Sequence, residues 1–566
     1  MCGILCQICY SRCCLLNDLE LQQRIENRGP NSKHQSSLYI DNNHINITLR
    51  GAVLWTQGHQ ITCQPMENQS GILLFNGDIF DQTWDSEISD TEQIMEKFSK
   101  INYSSYEIIK EIRKFKGPFS LIYYNKLTQE LIFTRDRIGR NSLLFYKINQ
   151  CIIISSVLGR NYECVEIPTT NVYILNLKEC KLTLFSWDDL MCNDAEAVDI
   201  DEWLSSVKLL QKLPDEQFNI DYQTSNVLCE DNVVTYIKQV TLEYTDKHTF
   251  MRALLQDEVI LKTVQEIIHL LNLSVKVRVE KQPQKCDQCL NNLSPCTHSC
   301  IGILFSGGLD CTLLAYLADK YVSRQQSIDL INVAFNKDNN ATFDVPDRLT
   351  GIQSLEELKQ LCPDRKWIFK EVNIPKDVLI EKQGKSIADL VYPRQTILDE
   401  SLGSALWFAA KGEDICQKSP CRILLLGSGA DELFGGYTRH RNAFRRGSWK
   451  ELDKELFLDW KRISFRNLAR DNRVICDHGR QPRMPYLDED FANYVLGLKP
   501  WLKCFPDDSL GPGIGDKLFL RLVAFNQGLV KVALFPKRAL QFGSRIANKK
   551  ERGSDLSKNF KNVIKN

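Results

Sequence analysis

Two glycine-rich turns carry acidic residues where phosphate chemistry would need them. In ILFSGGLDC, residues 303–311, an apolar strand runs into Ser-Gly-Gly and then a helix starting near Asp310. Small residues let backbone N–H groups approach an anion at a helix N-terminus, and a carboxylate there can hold Mg²⁺ that bridges phosphate oxygens. ILLLGSGADELFGGY, residues 423–437, repeats this pattern with Asp431 and Glu432. No GxxxxGK[ST] motif occurs, so neither turn is a Walker A loop. The third candidate is MCGILC, with Cys2 directly behind the initiator. Alone it fits a secretion signal, a metal clip, a buried strand cysteine or a catalytic N-terminus.

Several elements must position these residues. At 566 residues the chain exceeds one core, since domains hold roughly 150 residues. Residues 1–187 read as short apolar strands between polar turns, with DTEQIMEKFSK a helix opened by Asp90 and Thr91, giving an α+β domain. Residues 188–285 form a mixed segment ending in the amphipathic FMRALLQDEVILKTVQEIIHLL, and serve as a linker or helical extension. From 286 to 552, apolar strands alternate with helices, which predicts a doubly wound parallel α/β sheet followed by a mainly helical part. In such a sheet the two acidic turns converge on one crevice at the strand C-termini. Residues 553–566 read as a flexible basic tail.

Composition narrows the class. The 71 basic and 71 acidic residues cancel, so charge gives no case for nucleic acid or an anionic membrane. No run of 18 apolar residues predicts a membrane helix. The 21 cysteines are spread through a long chain, as in a reduced cytoplasmic protein, and the N-terminus lacks the basic region of a signal peptide.

Ordered motifs carry a family resemblance. FSGGLD, GADELFGGY, RMPYLDEDF and KRALQFGSR lie in the C-terminal half, and CG, NRGPN, FNGDIF, SDTEQI, GPFSLIYYN and RDRIGRNSLLF in the N-terminal half. In this order they resemble glutamine-hydrolysing asparagine synthetases, and most closely the divergent branch whose members contain an asparagine synthetase domain. The resemblance implies a class II amidotransferase domain, an Ntn-type αββα sandwich, over residues 2–187, joined to an ATP-pyrophosphatase domain of HUP-like fold. It implies ATP and Mg²⁺ as cofactors, and glutamine and aspartate or another carboxylate as small-molecule substrates.

The resemblance also implies roles. Cys2 would be the nucleophile once Met1 is removed, its own α-amine (reference pKa near 8) acting as base, which suits a chain with eight histidines. Asn76 and the Gly77 N–H would form the oxyanion site. Asp90 would bind the α-amino group of glutamine. Leu304, Ser306, Gly307, Gly308, Val333 and Gly427 would contact ATP, and Asp310 and Asp431 would bind Mg²⁺ and pyrophosphate.

The chain departs from the family pattern at several of these places. The family's SGEGADE reads LGSGADE, so Leu426 and Ser428 replace a serine and the acid/base glutamate. Loss of a positioned general base costs roughly 10²- to 10⁴-fold in rate. The late lysine falls on Ala539, with Lys537 and Arg538 beside it, and Cys311 replaces a hydroxyl residue. The arginine that clamps the glutamine carboxylate falls near Gln57, with Arg50 upstream, and Asp78 shortens the usual glutamate. The leading expectation is a glutamine-dependent ligase that amidates a carboxylate through an acyl-adenylate. A pseudoenzyme that keeps the fold, or a ligase with another acceptor, are the alternatives. Finally, Cys286, Cys289, Cys296 and Cys300 form a CxxC…CxxxC cluster that reads as free thiols more readily than as a zinc site, because its spacer is short.

Overall fold

A computed structural model describes residues 2–10, 18–40, 44–101, 104–188, 195–212, 229–283, 285–292, 296–336, 342–511, 513–547 and 551–561. Cys13 and Cys14 lie outside the described residues. The N-terminal half stacks two antiparallel sheets of six and seven strands. In the first, β1 (Gly3–Cys9) pairs with β2 (Ile45–Val53) and with Cys151–Ser155. In the second, β3 (Gly71–Gly77) pairs with β4 (Phe119–Asn125).

Both faces of β1 are covered, which explains its continuous apolar run. Ile4, Cys6 and Ile8 alternate inward to meet Ile72, Leu74 and Ile122 of the second sheet. Leu5 faces outward, onto Leu21 and Ile25 of α1 (Leu19–Arg28). A Cβ on Gly3 would lie 2.1 Å from the Ile25 carbonyl oxygen, so glycine is required where α1 crosses the strand. The outer face of the second sheet is covered by α2 (Asp90–Lys100) and α3 (Ser105–Ile112), through Ile94, Phe98 and Ile108. Helix, sheet, sheet, helix is the layering expected. The cap of α2 is Ser89, which forms a capping box with Glu92. Asp90 is thereby left to face inward.

Two expected boundaries move. Strand Glu196–Asp199 extends the seven-stranded sheet, and helix Ile200–Lys212 lays Trp203, Leu204 and Val207 into the sandwich core. The first domain therefore runs to residue 212 rather than 187. Helix α4 (Glu258–Glu280) packs Val264 and Leu271 in one core with Ile301 and Leu313, so this part of the extension belongs to the second domain. The basic tail also docks in part. Leu556 bridges Thr396, Ser557 donates to Glu400 at 2.7 Å, and Phe560 is buried; residues 562–566 lie outside the described residues.

The second domain is built on a five-stranded parallel sheet. Its strands are β5 (Ile301–Leu304), β6 (Ile328–Phe335), β7 (Trp367–Ile374), β8 (Ile423–Leu425) and β9 (Gln481–Arg483), in the spatial order β7-β6-β5-β8-β9. The order reverses between β5 and β8. A crevice must open there, at the strand C-termini. Helix α5 (Leu309–Asp319) follows β5, and the short α6 (Ala430–Phe434) follows β8.

Buried charges join the halves. Arg483 reaches Asp78 at 3.1 Å and Lys281 reaches Asp90 at 2.7 Å. Asp389 receives both Arg24 and Arg160, at 3.0 and 2.9 Å, and Arg473 pairs with Glu166. Arg28 donates to Asn472 at 2.9 Å.

Candidate functional site

The crevice between β5 and β8 opens into a cleft of about 1460 Å³. Leu304, Ser306, Gly308, Asp310, Val333, Gly427 and Asp431 line it, as does Ser428. Gly307 instead turns its back to the cleft. At φ +75° its Cβ would lie 2.4 Å from the Gly351 amide nitrogen, so the tight turn needs glycine for packing. The Cys311 thiol donates to the Gly308 carbonyl at 3.4 Å and thereby helps hold the loop shape.

Asp310 and Asp431 meet on one ammonium. Lys517 lies 2.7 Å from Asp310 and 2.8 Å from Asp431, and Lys537 approaches Asp431 at 2.8 Å. Lys517 is buried and held at φ +54°, a conformation rarely used by a long side chain. Burial pushes the Asp431 carboxyl up, but the two ammonium groups outweigh it and hold the carboxyl well below its usual range. The same pairing, against burial, raises Lys517, so Asp431 and Lys517 both stay charged at neutral pH. Sequence reasoning missed Lys517, since nothing in GIGDKLF marks it.

These residues fit a nucleotide with Mg²⁺. The Asp310 and Asp431 side chains remain 24% and 21% exposed, and a hard cation there would share their oxygens with Lys517 and Lys537, which already engage them. Beyond Ser306 Oγ at 3.3 Å, the open side of Gly308 meets nothing within 4 Å, which leaves room for a phosphate beside the backbone.

Glu432 lies in the same wall. It accepts from Tyr437 Oη at 2.7 Å and from Asn467 at 3.2 Å. Burial, then the Asp431 charge, pushes its carboxyl up to about 7. A carboxyl raised above its unfolded value of about 4.3 binds its proton more tightly when folded. This group therefore stabilises the fold fully below about pH 4, and the contribution is lost as pH rises toward 7. Glu432→Gln is expected to remove that slope and to be the more stable protein at pH 8, by roughly 2 kcal/mol. Urea titrations at pH 5 and pH 8 check this, and a parallel slope in both proteins would contradict it.

At the other end, the Cys2 backbone nitrogen donates to Asn76 Oδ1 at 2.8 Å. The Asn76 Nδ2 donates to Ser120 at 3.2 Å. Gln64 Nε2 approaches Cys2 Sγ at 3.6 Å and also donates to Thr91 at 3.1 Å, while its Oε1 accepts from the Phe75 amide. Gln64 was not legible as a site residue because it belongs to no motif, and Thr91, although it lies in SDTEQI, read only as part of the helix start. Cys6 and Cys9 are buried strand residues.

Gln57, Asp78 and Asp90 cluster beside Gly77. Gln57 donates to Asp78 and to the Gly77 carbonyl and accepts from the Asp90 amide. Asp78 is held by Arg483 and Gln481. Asp90 accepts from the Ile79 amide and from Lys281, both at 2.7 Å. Burial, with the Asp78 charge, raises the Asp90 carboxyl despite Lys281. Arg50 is not part of this group. It stands opposite the outward-facing Leu5 in the sheet and donates to Gln35 and Gln22, because its register on β2 turns it away from the interior.

A family model described as a glutamine amidotransferase domain matches residues 1–160, and one described as asparagine synthase matches residues 298–450 and 445–524. Fold and site together thus define a class: an amidotransferase domain joined to an asparagine synthase domain. An asparagine synthetase domain-containing protein of Drosophila melanogaster is 38% identical, over 99% of this chain and 100% of that protein. Asparagine synthetase domain-containing protein 1 of Mus musculus is 34% identical, over 97% of each chain. The chain belongs to the asparagine synthetase domain-containing protein family. A putative glutamine-hydrolysing asparagine synthetase of Methanocaldococcus jannaschii is more distant, 25% identical over 55% of this chain and 48% of that protein. No helix among the described residues is long and apolar enough to cross a membrane.

Proposed function

We propose that the chain couples glutamine hydrolysis at Cys2 to ATP-dependent amidation of a carboxylate in the β5–β8 cleft, with aspartate the default acceptor. The observation that carries this reading is the meeting of Asp310 and Asp431, from two separate turns, on Lys517. Once Met1 is removed, the Cys2 α-amine takes the thiol proton. The sulfur then attacks the side-chain amide carbon of glutamine. The C–N bond breaks, the proton leaves with ammonia, and water cleaves the thioester to glutamate. Asn76, whose Nδ2 would have to turn from Ser120, and the Gly77 N–H would stabilise the developing oxyanion.

In the cleft, Ser306 and Gly308 would hold phosphate oxygens, and Lys517 and Lys537 would stabilise their charge. Lys537 thereby supplies the ammonium that Ala539 lacks. Bound at Asp310 and Asp431, Mg²⁺ would neutralise charge on the departing pyrophosphate. The acid/base role that Ser428 cannot fill falls to Glu432, whose carboxyl titrates near neutrality.

A second reading rests on Lys281. Every charged group assigned to glutamine already has a partner: Asp90 has Lys281, and Asp78 has Arg483. This favours a chain whose amidotransferase pocket is closed. Purified protein with ATP, Mg²⁺ and aspartate, given either glutamine or ammonium, separates the two. Asparagine, pyrophosphate and glutamate formed from glutamine are the expected products. Products from ammonium alone support the closed pocket. No pyrophosphate with either nitrogen source removes the amidation reading.

A further inference from the structure

We propose that Cys286, Cys289, Cys296 and His298 bind one structural zinc ion in the segment that joins α4 to β5. Their ligand atoms all lie within 4.8 Å of one another, and three thiols converge on one imidazole nitrogen. Cys286, Cys289 and Cys296 Sγ lie 3.6, 3.3 and 3.9 Å from His298 Nδ1. Tetrahedral zinc with Zn–S near 2.3 Å and Zn–N near 2.0 Å places sulfur and nitrogen about 3.5 Å apart along each edge. The three distances bracket that edge.

Hydrogen bonding to His298 alone does not account for the convergence, in which Cys286 also meets the thiols of Cys289 and Cys296. One ring nitrogen donates one proton or accepts one, so it satisfies one thiol and leaves two facing it. Nor do disulfides, since all three cysteines are free. A divalent cation at the centre satisfies all four groups at once, with both metal and ligands of matched softness. Burial agrees: the three cysteines are shielded while His298 faces outward, as a closed site near a surface requires.

The ligand set differs from the one the spacing suggested. Cys300 is the last residue before β5, and its sulfur accepts from Gln326 Nε2 at 3.3 Å. His298 takes the fourth place, giving Cx₂Cx₆CxH. The first pair sits on a 3₁₀ turn, Asp287–Cys289, in which the Cys289 amide donates to the Cys286 carbonyl at 3.2 Å. Four protein ligands leave no open position, which marks the site as structural rather than catalytic.

Its location gives it work in the fold. Upstream, α4 ends just before Lys281, which holds Asp90 of the other domain. Downstream, β5 leads into the Ser306–Asp310 turn. The cluster is itself anchored by the Asp287 amide on the Pro420 carbonyl at 2.9 Å, and by Arg422, which donates to the Lys285 carbonyl at 2.7 Å and to that of Trp55. Zinc would pin this crossing segment, and its binding energy would be folding energy for the junction.

Metal analysis of the full chain, purified in reductant without chelator or metal-affinity tag, tests the assignment. About one zinc per chain is expected, and Cys289→Ser and Cys296→Ser should each fall below roughly a tenth of that. Cys300→Ser should keep it. If the ligand variants fail to fold, the wild-type protein still decides. Zinc should leave in step with mercurial titration of three thiols, and Co²⁺ should give tetrahedral bands with thiolate charge transfer. Wild-type protein without zinc and without a Co²⁺ spectrum, or with these cysteines in a disulfide, overturns the proposal. So does zinc that survives Cys289→Ser and Cys296→Ser together, or zinc lost as fully from Cys300→Ser.

Discussion

Cys2→Ala protein is expected to hydrolyse glutamine at least about 10³-fold more slowly than the parent, because the substitution removes the atom that forms the bond and leaves only the oxyanion site. The surrounding structure should survive it. One sulfur is lost from a residue whose backbone is fixed by Asn76 at one end and by the β1–β2 ladder beyond. The cost in stability should be about 1 kcal/mol, read as a small shift in urea midpoint. Ammonium-dependent pyrophosphate release should be unchanged, since the β5–β8 cleft is lined by other residues. Glutamate release that persists at the parental rate would assign the chemistry to another group.

At the other site, Lys517→Met should impair both chemistry and stability. Pyrophosphate release is expected to fall by about 10²- to 10³-fold, the usual result of deleting one preorganised charge donor from a polar active site. It should also destabilise the chain by roughly 3 kcal/mol at pH 7, since Asp310 and Asp431 lose their shared cation. The pH dependence has a definite sign. In the parent, the Asp431 carboxyl sits below its unfolded value, so its stabilisation is present above about pH 4 and lost as pH falls through the lower folded value. Without Lys517, burial acts with less opposition and the carboxyl rises. The gap between parent and variant should therefore narrow as pH drops below about 4, and chemical denaturation across that range measures it. A constant gap would show that Lys517 acts through packing alone.

The fold was legible where one physical signal dominated. Unbroken apolar strands entering glycine turns at 304–308 and 425–429 identified the parallel sheet and placed its crevice. The boundary at 187 was missed because Glu196–Asp199 is a short, exposed edge strand whose sequence carries no apolar alternation. Counting from NGD led to Gln57, which does sit beside Asp78 and Asp90, whereas Arg50, considered only as the arginine upstream, lies on the outer side of the sheet, which distance along a chain does not fix. Residues supplied from far away were not visible at all. Lys281 and Lys517 enter the sites from segments that carry no motif, where a single cation gives no spacing to recognise, and Arg483 opens RMPYLDEDF, in which nothing points to Asp78 as its partner. The cysteine cluster failed more narrowly. A pattern of four cysteines drew attention to Cys300 and away from His298, two residues before it.

The charges shared between the halves set how the chain can be taken apart. Asp78 and Asp90 are fully buried in the first domain, yet Arg483 and Lys281 belong to the second. Asp389 of the second domain depends on Arg24 and Arg160 of the first. A cut between residues 212 and 232 spares both cores but strands these carboxylates, and an unpaired buried charge costs several kcal/mol. The two halves are thus not modules in the engineering sense. They form one cooperative unit, whose excised fragments must either hydrate their former seam or aggregate through it.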